Sequence, residues 1–161
     1  LTSMGRKTTA VTVDSYVRAL KDAFILYEVG RYDVKGKQYL QSLEKYYIVD
    51  TSLRSFLLGE RTMDLGHLLE NIVYLELQRR GYKVSIGKLG TLEIDFIAQR
   101  GDEKIYYQVA ASVLDPATYE REFAPLKKIR DSYPKVVLTL DDYPMGEEGI
   151  NQQNVIEWLL N

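Results

Sequence analysis

One segment constrains the fold of this chain more than any other: between residues 64 and 110, an amphipathic helix is followed by three strand-like runs. Leucine, isoleucine and valine recur at helical spacing over residues 64–81. The strand candidates are residues 82–86, 91–98 and 104–110, and Arg100-Gly101-Asp102-Glu103 predicts a tight hairpin turn between the last two. A helix that leads into such strands buries its apolar face on their sheet.

The C-terminal part of the chain continues this pattern. Asp115-Pro116 predicts the start of a second helix, which ends before Pro134, and residues 135–140 are a continuous apolar run typical of a strand buried on both faces. A last short strand or helix is predicted over Val155–Leu160. Residues 56–161 therefore predict an α/β domain, in which helices flank a mixed β-sheet.

Residues 1–55 form a separate predicted module. Apolar spacing predicts a helix over 12–24 with Thr12 as its N-cap, and strand-like runs follow at 25–29 and 46–49. This order resembles the end of a winged helix, with 12–24 as recognition helix and 25–50 as wing, so residues 1–55 are interpreted as a partial winged helix. A short helix is predicted from Asp50-Thr51 to Gly59.

The absence of the first helices of a winged helix would leave apolar surface uncovered. Such a patch is unusual on a monomer. We therefore expect either a homo-oligomer or cover from the C-terminus, where Val155, Trp158 and Leu159 are predicted to close the sheet or to cover this surface.

Composition excludes several classes of protein and site. The 161 residues include no cysteine and one histidine, His67, which excludes disulfides, thiolate zinc sites, cysteine nucleophiles and sites with two imidazoles. The apolar runs are far shorter than the roughly 20 residues that span a bilayer, and no signal peptide is present, so we expect a cytoplasmic protein without a membrane partner. The first residue is not Met, which indicates a piece of a longer chain.

The charge of the chain limits how it could bind nucleic acid. The formal net charge is −2, which gives no overall attraction to a polyanion. DNA binding would therefore depend on a local patch, and the basic residues Arg31, Lys35, Lys37 and Lys45 are a candidate.

Acidic residues in the C-terminal part suggest a site. Glu70 lies at the edge of the apolar arc of its helix, and Glu93 and Asp95 are two apart on one strand, so the latter two share a face. Gln108 and Ala110 share a face of the next strand. Acids at a sheet edge, joined by one from a helix, are the ligands that hold a hard divalent cation next to a phosphate.

These residues resemble a known superfamily. Gly66-His67-Leu68-Leu69-Glu70, Leu92-Glu93-Ile94-Asp95 and Tyr106-Tyr107-Gln108-Val109-Ala110 are similar to the helix, the acidic strand and the Glu-x-Lys strand of the restriction-endonuclease-like, or PD-(D/E)XK, nucleases. The resemblance implies a degenerate catalytic site of Glu70, Asp95 and Gln108, with Ala110 in the lysine position. It also implies weak Mg²⁺ binding by Glu70, Asp95 and Glu93.

A second resemblance covers nearly the whole chain. Three segments are similar to the C-terminal region of a bacterial and archaeal family of AAA+-type ATPases: Gly30-Arg31-Tyr32-Asp33-Val34-Lys35-Gly36-Lys37, Glu44-Lys45-Tyr46-Tyr47-Ile48-Val49-Asp50 and Glu120-Arg121-Glu122-Phe123-Ala124-Pro125-Leu126. The resemblance implies an N-terminal ATPase domain as partner and a C-terminal domain of unknown function. No Gly-x-x-x-x-Gly-Lys-Ser/Thr motif occurs here, so this chain is not expected to bind ATP.

Departures from the nuclease pattern leave three functions open. A neutral amide at Gln108 and a methyl group at Ala110 favour an inactive nuclease-like domain that contacts DNA or protein. A Mg²⁺-dependent nuclease would need a displaced lysine, for which Lys127 and Lys128 are candidates. The third function is a purely structural, protein-binding domain.

Two of the polar residues also have a structural interpretation. Gln108 is predicted to hydrogen-bond to Asp95 or to the backbone, and Glu76 to pair with Arg79 or Arg80 rather than to act in catalysis.

Overall fold

The computed structural model of the protein describes residues 9–58 and 64–161. Five helices and seven strands follow one another in this part of the chain. The helices are α1 (Ala10–Asp22), α2 (Thr51–Leu58), α3 (Leu65–Arg79), α4 (Pro116–Lys127) and α5 (Val155–Leu160). The strands are β1 (Leu26–Asp33), β2 (Gln38–Ile48), β3 (Lys83–Leu89), β4 (Leu92–Arg100), β5 (Glu103–Val109), β6 (Lys135–Thr139) and β7 (Asn151–Asn154).

The strands form one mixed sheet, in the order β2-β1-β3-β4-β5-β6-β7. Neighbours pair antiparallel from β3 to β5 and within the β1–β2 hairpin, whereas β1–β3, β5–β6 and β6–β7 are parallel. The predicted fold class, α/β with a mixed sheet flanked by helices, is confirmed.

The two predicted modules share this sheet. Strand β1, from the module 1–55, pairs with β3, from the module 56–161, through Arg31↔Ile86 and the two residue pairs that follow. The hairpin predicted as a wing is therefore an edge of the main sheet. Residues 1–8 and the predicted helix end at Gly59 lie outside the described residues.

Several element boundaries differ from the prediction. The N-cap of helix α1 is Thr9 rather than Thr12, so the helix begins at Ala10. The Thr9 hydroxyl accepts a hydrogen bond from the backbone N–H of Thr12 at 3.2 Å. Strand β2 has eleven residues rather than the four predicted. Strand β7 was not predicted, since Asn151-Gln152-Gln153-Asn154 carries no apolar residue.

Helices cover both faces of the sheet. On one face α3 packs over a core that includes Val73, Leu77 and Phe96, and the buried Trp158 of α5 extends this core toward β6. On the other face α4 packs over a core that includes Phe123 and Leu126. We call these the α3 face and the α4 face.

Helix α1 is much less covered than the other long helices. None of its residues is buried, and Val11, Tyr16 and the following Phe24 are exposed by 77%, 60% and 74%. Helix α1 thus leaves apolar surface uncovered, and both the partial winged helix and homo-oligomerisation stay predictions. In the described residues, no helix combines the length and apolar character needed to cross a membrane.

Candidate functional site

The buried carboxylate of Glu70 is the centre of the site on the α3 face. Glu70 is on the second turn of α3 and is 8% exposed. The Tyr47 hydroxyl donates a hydrogen bond to Glu70 Oε1, and Lys45 Nζ lies 2.5 Å from the same oxygen. Because Lys45 and Tyr47 are two apart on β2, both side chains point toward α3.

A change of register in β2 determines where Lys45 lies. Val29 of β1 pairs with Lys45, whereas Arg31 pairs with Leu40, so Gly30 faces four residues of β2 where regular pairing would place one. Irregularities of this kind re-aim the side chains that follow them. On the C-terminal side of this irregularity, Lys45 and the buried Tyr47 pair regularly with β1.

Asp95 lies at a second irregularity, a β-bulge in β4. Ser85 pairs with Ile97 and Gly87 with Ile94, so Ile86 of β3 faces both Asp95 and Phe96. The carboxylate of Asp95 accepts a hydrogen bond from the backbone N–H of Val109 at 2.9 Å.

Glu93 is held by three cations. Its carboxylate is hydrogen-bonded to Arg31 of β1 and lies 3.7 Å from Lys45 Nζ and 3.6 Å from Lys88 Nζ. Lys45 therefore bridges Glu70 and Glu93, and together with Arg31 it neutralises much of the negative charge on this face.

Protonation equilibria reflect this arrangement. Burial raises the pKa of Asp95 well above its ordinary value of 3.8, and the neighbouring Glu70 charge raises it further, against the opposing effects of the Val109 hydrogen bond and of Lys45. Burial opposes the charge on Lys45, but Glu70, Asp95 and Glu93 together outweigh it and raise the pKa of Lys45. Burial likewise opposes ionisation of Glu93, but the Arg31 hydrogen bond and the nearby positive charges lower its pKa overall.

Gln108 is a buried amide whose two ends are both bonded. Its Oε1 accepts from the backbone N–H of Asp95 at 2.8 Å, and its Nε2 donates to Glu122 Oε2 at 2.9 Å. Glu122 is on α4, so the Gln108 side chain lies on the α4 face, opposite Glu70. The predicted hydrogen bond between Gln108 and Asp95 is confirmed, and it joins the side chain of one to the backbone of the other.

Ala110 is 5% exposed and packs in the α4-face core. A side chain at this position enters that apolar core, where a lysine ammonium would be costly to bury. The candidate lysine Lys127 pairs with Glu147 at 2.7 Å, and it extends from the helix that covers the α4 face. The lysine that the structure places beside the acids is Lys45, which sequence reasoning assigned only to a basic patch.

The predicted metal ligands do not make a cation site of three donors. In residues 9–58 and 64–161, no three His, Cys, Asp or Glu side chains come close enough to hold a metal ion. The space beside Glu70 and Glu93 is shared with the Lys45 ammonium. A Mg²⁺ ion would have to approach this protonated amine, so the donor set does not fit that ion well.

The Glu70–Lys45 pair faces an open cleft of about 340 Å³ between β2, α2 and α3. Arg54 and His67 also line this cleft, as does Asn71, whose side-chain amide bonds to both backbone groups of Ile48 at 2.8–2.9 Å. His67 is a surface residue, as expected, and its ring lies 2.8 Å from Asp64. Glu76, in the same helix, pairs with both Arg79 and Arg80, which confirms its structural interpretation.

Comparison with known proteins gives similarity without a described activity. Residues 1–64 match the family model "Domain of unknown function (DUF8612)". The chain is 42% identical over 161 residues to an uncharacterized protein of Haemophilus influenzae, a match that covers 99% of this chain and 40% of that protein. It is 28% identical over 132 residues to an uncharacterized protein of Methanocaldococcus jannaschii, covering 80% of this chain and 29% of the relative. The chain thus spans less than half the length of either relative.

Proposed function

We propose that this chain is a nuclease-like module that contacts DNA without cutting it. The observation that carries the proposal is the neutralisation of its acids by its own cations. Lys45 is paired with Glu70 and lies near Glu93, and Arg31 is bonded to Glu93. In a metal-dependent nuclease, such carboxylates must instead hold a cation that polarises the phosphate and activates water.

The remaining positions give little support for catalysis. The Gln108 amide is held by the backbone N–H of Asp95 and by Glu122 on the α4 face, so its oxygen does not join Glu70 on the α3 face as a metal ligand. Removal of one preorganised electrostatic contact typically costs about 10²–10³ in rate. Here a neutral amide and a buried methyl group stand in two positions that carry charge in the resembled nucleases.

We further propose that the module belongs to a cytoplasmic AAA+-type ATPase and acts under the control of that partner domain. The resemblance of the three segments around Gly30, Glu44 and Glu120 supports this, and both relatives are more than twice as long as the chain. The length of the relatives leaves room for a further domain.

The test combines cleavage and binding on the same preparations. The protein is incubated with linear and branched duplex DNA in Mg²⁺ or Mn²⁺, and binding is measured by fluorescence anisotropy in EDTA. We expect binding without cleavage. Absence of binding would overturn DNA contact and leave the protein-binding function as the surviving candidate.

A second candidate function, a Mg²⁺-dependent nuclease, is favoured by one observation. A lysine does reach the acids, although it is Lys45 rather than Lys127 or Lys128. If this candidate is right, the unmodified protein cuts DNA, and both Lys45→Gln and Asp95→Asn abolish cutting. Lys83→Gln is the control, because Lys83 is exposed at the opposite end of β3 from the residue pair Lys88↔Glu93.

A further inference from the structure

A second cleft, of about 830 Å³, opens on the α4 face between the β1–β2 turn and the C-terminal end of α4. We call it the basic groove. Five of its lining side chains are cationic: Lys35, Lys37, Lys127, Lys128 and Arg130. Asp131 is the one acid in this lining, and its carboxylate accepts a hydrogen bond from the Tyr106 hydroxyl at 2.6 Å.

The charges of the basic groove are mostly uncompensated. Lys127 pairs with Glu147, but in the part of the chain that the structure describes, Lys35, Lys37, Lys128 and Arg130 take part in no ion pair. All four are exposed. The chain as a whole has a net charge of −2, so this concentration of positive charge is local.

The basic groove is separate from the Glu70 site. Its floor is formed by Val34, Leu89 and Ile129, which belong to the α4-face core, whereas Glu70 and Lys45 lie on the α3 face. The function proposed for the acids therefore does not account for it.

We propose that the basic groove binds the phosphate backbone of duplex DNA, independently of base sequence. This inference rests on the proposed DNA contact and assigns it to a surface other than the predicted recognition helix. Lysine and arginine on two separate elements can neutralise successive phosphates. No aromatic side chain is among the described lining residues, and single-strand binding relies on aromatic stacking, so the duplex is the favoured form.

The salt dependence of binding follows from the number of phosphates contacted. With four or five contacts, the slope of log K against log salt is roughly −3.6 to −4.5. Loss of one phosphate-binding lysine reduces the magnitude of that slope by about 1 and weakens binding to all sequences alike.

The experiment uses a fluorescent 20-base-pair duplex and a scrambled duplex of equal composition, titrated over a range of NaCl concentrations. We expect equal affinity for both duplexes. We expect Lys35→Gln and Lys128→Gln each to reduce the slope by about 1, and the double variant to bind at least about 10-fold more weakly. The control is Lys83→Gln, the same charge change at an exposed lysine that does not line the basic groove and whose ammonium lies 4.8 Å from the centre of the Tyr39 ring.

The outcomes separate this inference from the proposed function. If the double variant binds like the unmodified protein while Arg18→Gln on α1 weakens binding, the assignment of DNA binding to the basic groove is wrong, and the proposed DNA contact stands. If all variants bind alike, the inference is also wrong. If the unmodified protein binds neither duplex at low salt, both proposals fall. Circular dichroism of each variant checks that the fold is retained.

Discussion

The pairing of Lys45 with Glu70 gives the sharpest energetic test of the site. Lys45→Met keeps an unbranched, apolar side chain of similar length and removes the ammonium. The Glu70 side chain is 10% exposed, and in the variant it retains the Tyr47 hydroxyl as its hydrogen-bond donor. The variant therefore isolates what the positive charge contributes.

The magnitude follows from burial. Removal of one partner from a fully buried ion pair costs about 3–5 kcal/mol, because the remaining charge is left uncompensated. The Lys45 side chain is 25% exposed, so solvent screens part of the interaction and we expect a loss of about 2–3 kcal/mol. For a chain of this size, that lowers Tm by roughly 4–12 °C.

A double-mutant cycle in urea separates this pair from general packing. Lys45→Met, Glu70→Gln and the double variant are compared with the unmodified protein, with Lys83→Met as control. We expect a coupling free energy of about 1–3 kcal/mol. A coupling below about 0.5 kcal/mol would refute the claim that Lys45 neutralises Glu70, and with it the argument that the chain supplies its own cation.

Three further predictions concern local packing and pH. Gly87→Ala is expected to destabilise the protein by about 1–3 kcal/mol in thermal unfolding, since its Cβ would lie 2.8 Å from a Cβ of β4. Arg79 and Arg80 lower the pKa of Glu76 to about 2. The ionised Glu76 therefore stabilises the folded state fully above pH 4.5, and this contribution is lost as pH falls toward 2. Glu76→Gln should flatten the dependence of urea stability on pH in that range. The pKa of Asp95 is raised from 3.8 to about 8, so its carboxyl group destabilises the fold increasingly as pH rises between these two values. Asp95→Asn should therefore gain stability relative to the unmodified protein over that range and keep the gain at higher pH. An unchanged profile in either variant would contradict the corresponding pKa shift.

The elements that sequence periodicity predicted well are those that carry a local signal. Helix α3 has a full apolar stripe and an Asp64 N-cap that accepts from the backbone N–H of Gly66 at 3.0 Å. Helix α4 begins at Asp115-Pro116, and the predicted hairpin turn joins β4 and β5. Each of these features is determined within a few residues of chain.

Strand β7 and the position of Lys45 carry no such signal. Strand β7 is polar and is held by parallel pairing with β6, where Gln152 donates to the Thr139 hydroxyl at 3.1 Å. Lys45 reaches Glu70 only because β1 pairs with β3, far along the chain, and because β2 carries three extra residues opposite Gly30. Spacing along the sequence cannot show either contact.

The nuclease-like pattern at Asp95 and Gln108 has a structural role that needs no catalysis. Regular pairing of β4 with β5 extends from Arg100↔Glu103 to Phe96↔Tyr107. Beyond it, side chains accept the hydrogen bonds of the backbone: Gln108 accepts from the N–H of Asp95, and the Asp95 carboxylate accepts from the N–H of Val109. A buried N–H without a partner is costly, and the oxygens of Gln108 and Asp95 supply the acceptors for two such groups beyond the regular pairing. The resemblance at these two positions therefore does not by itself indicate an active site.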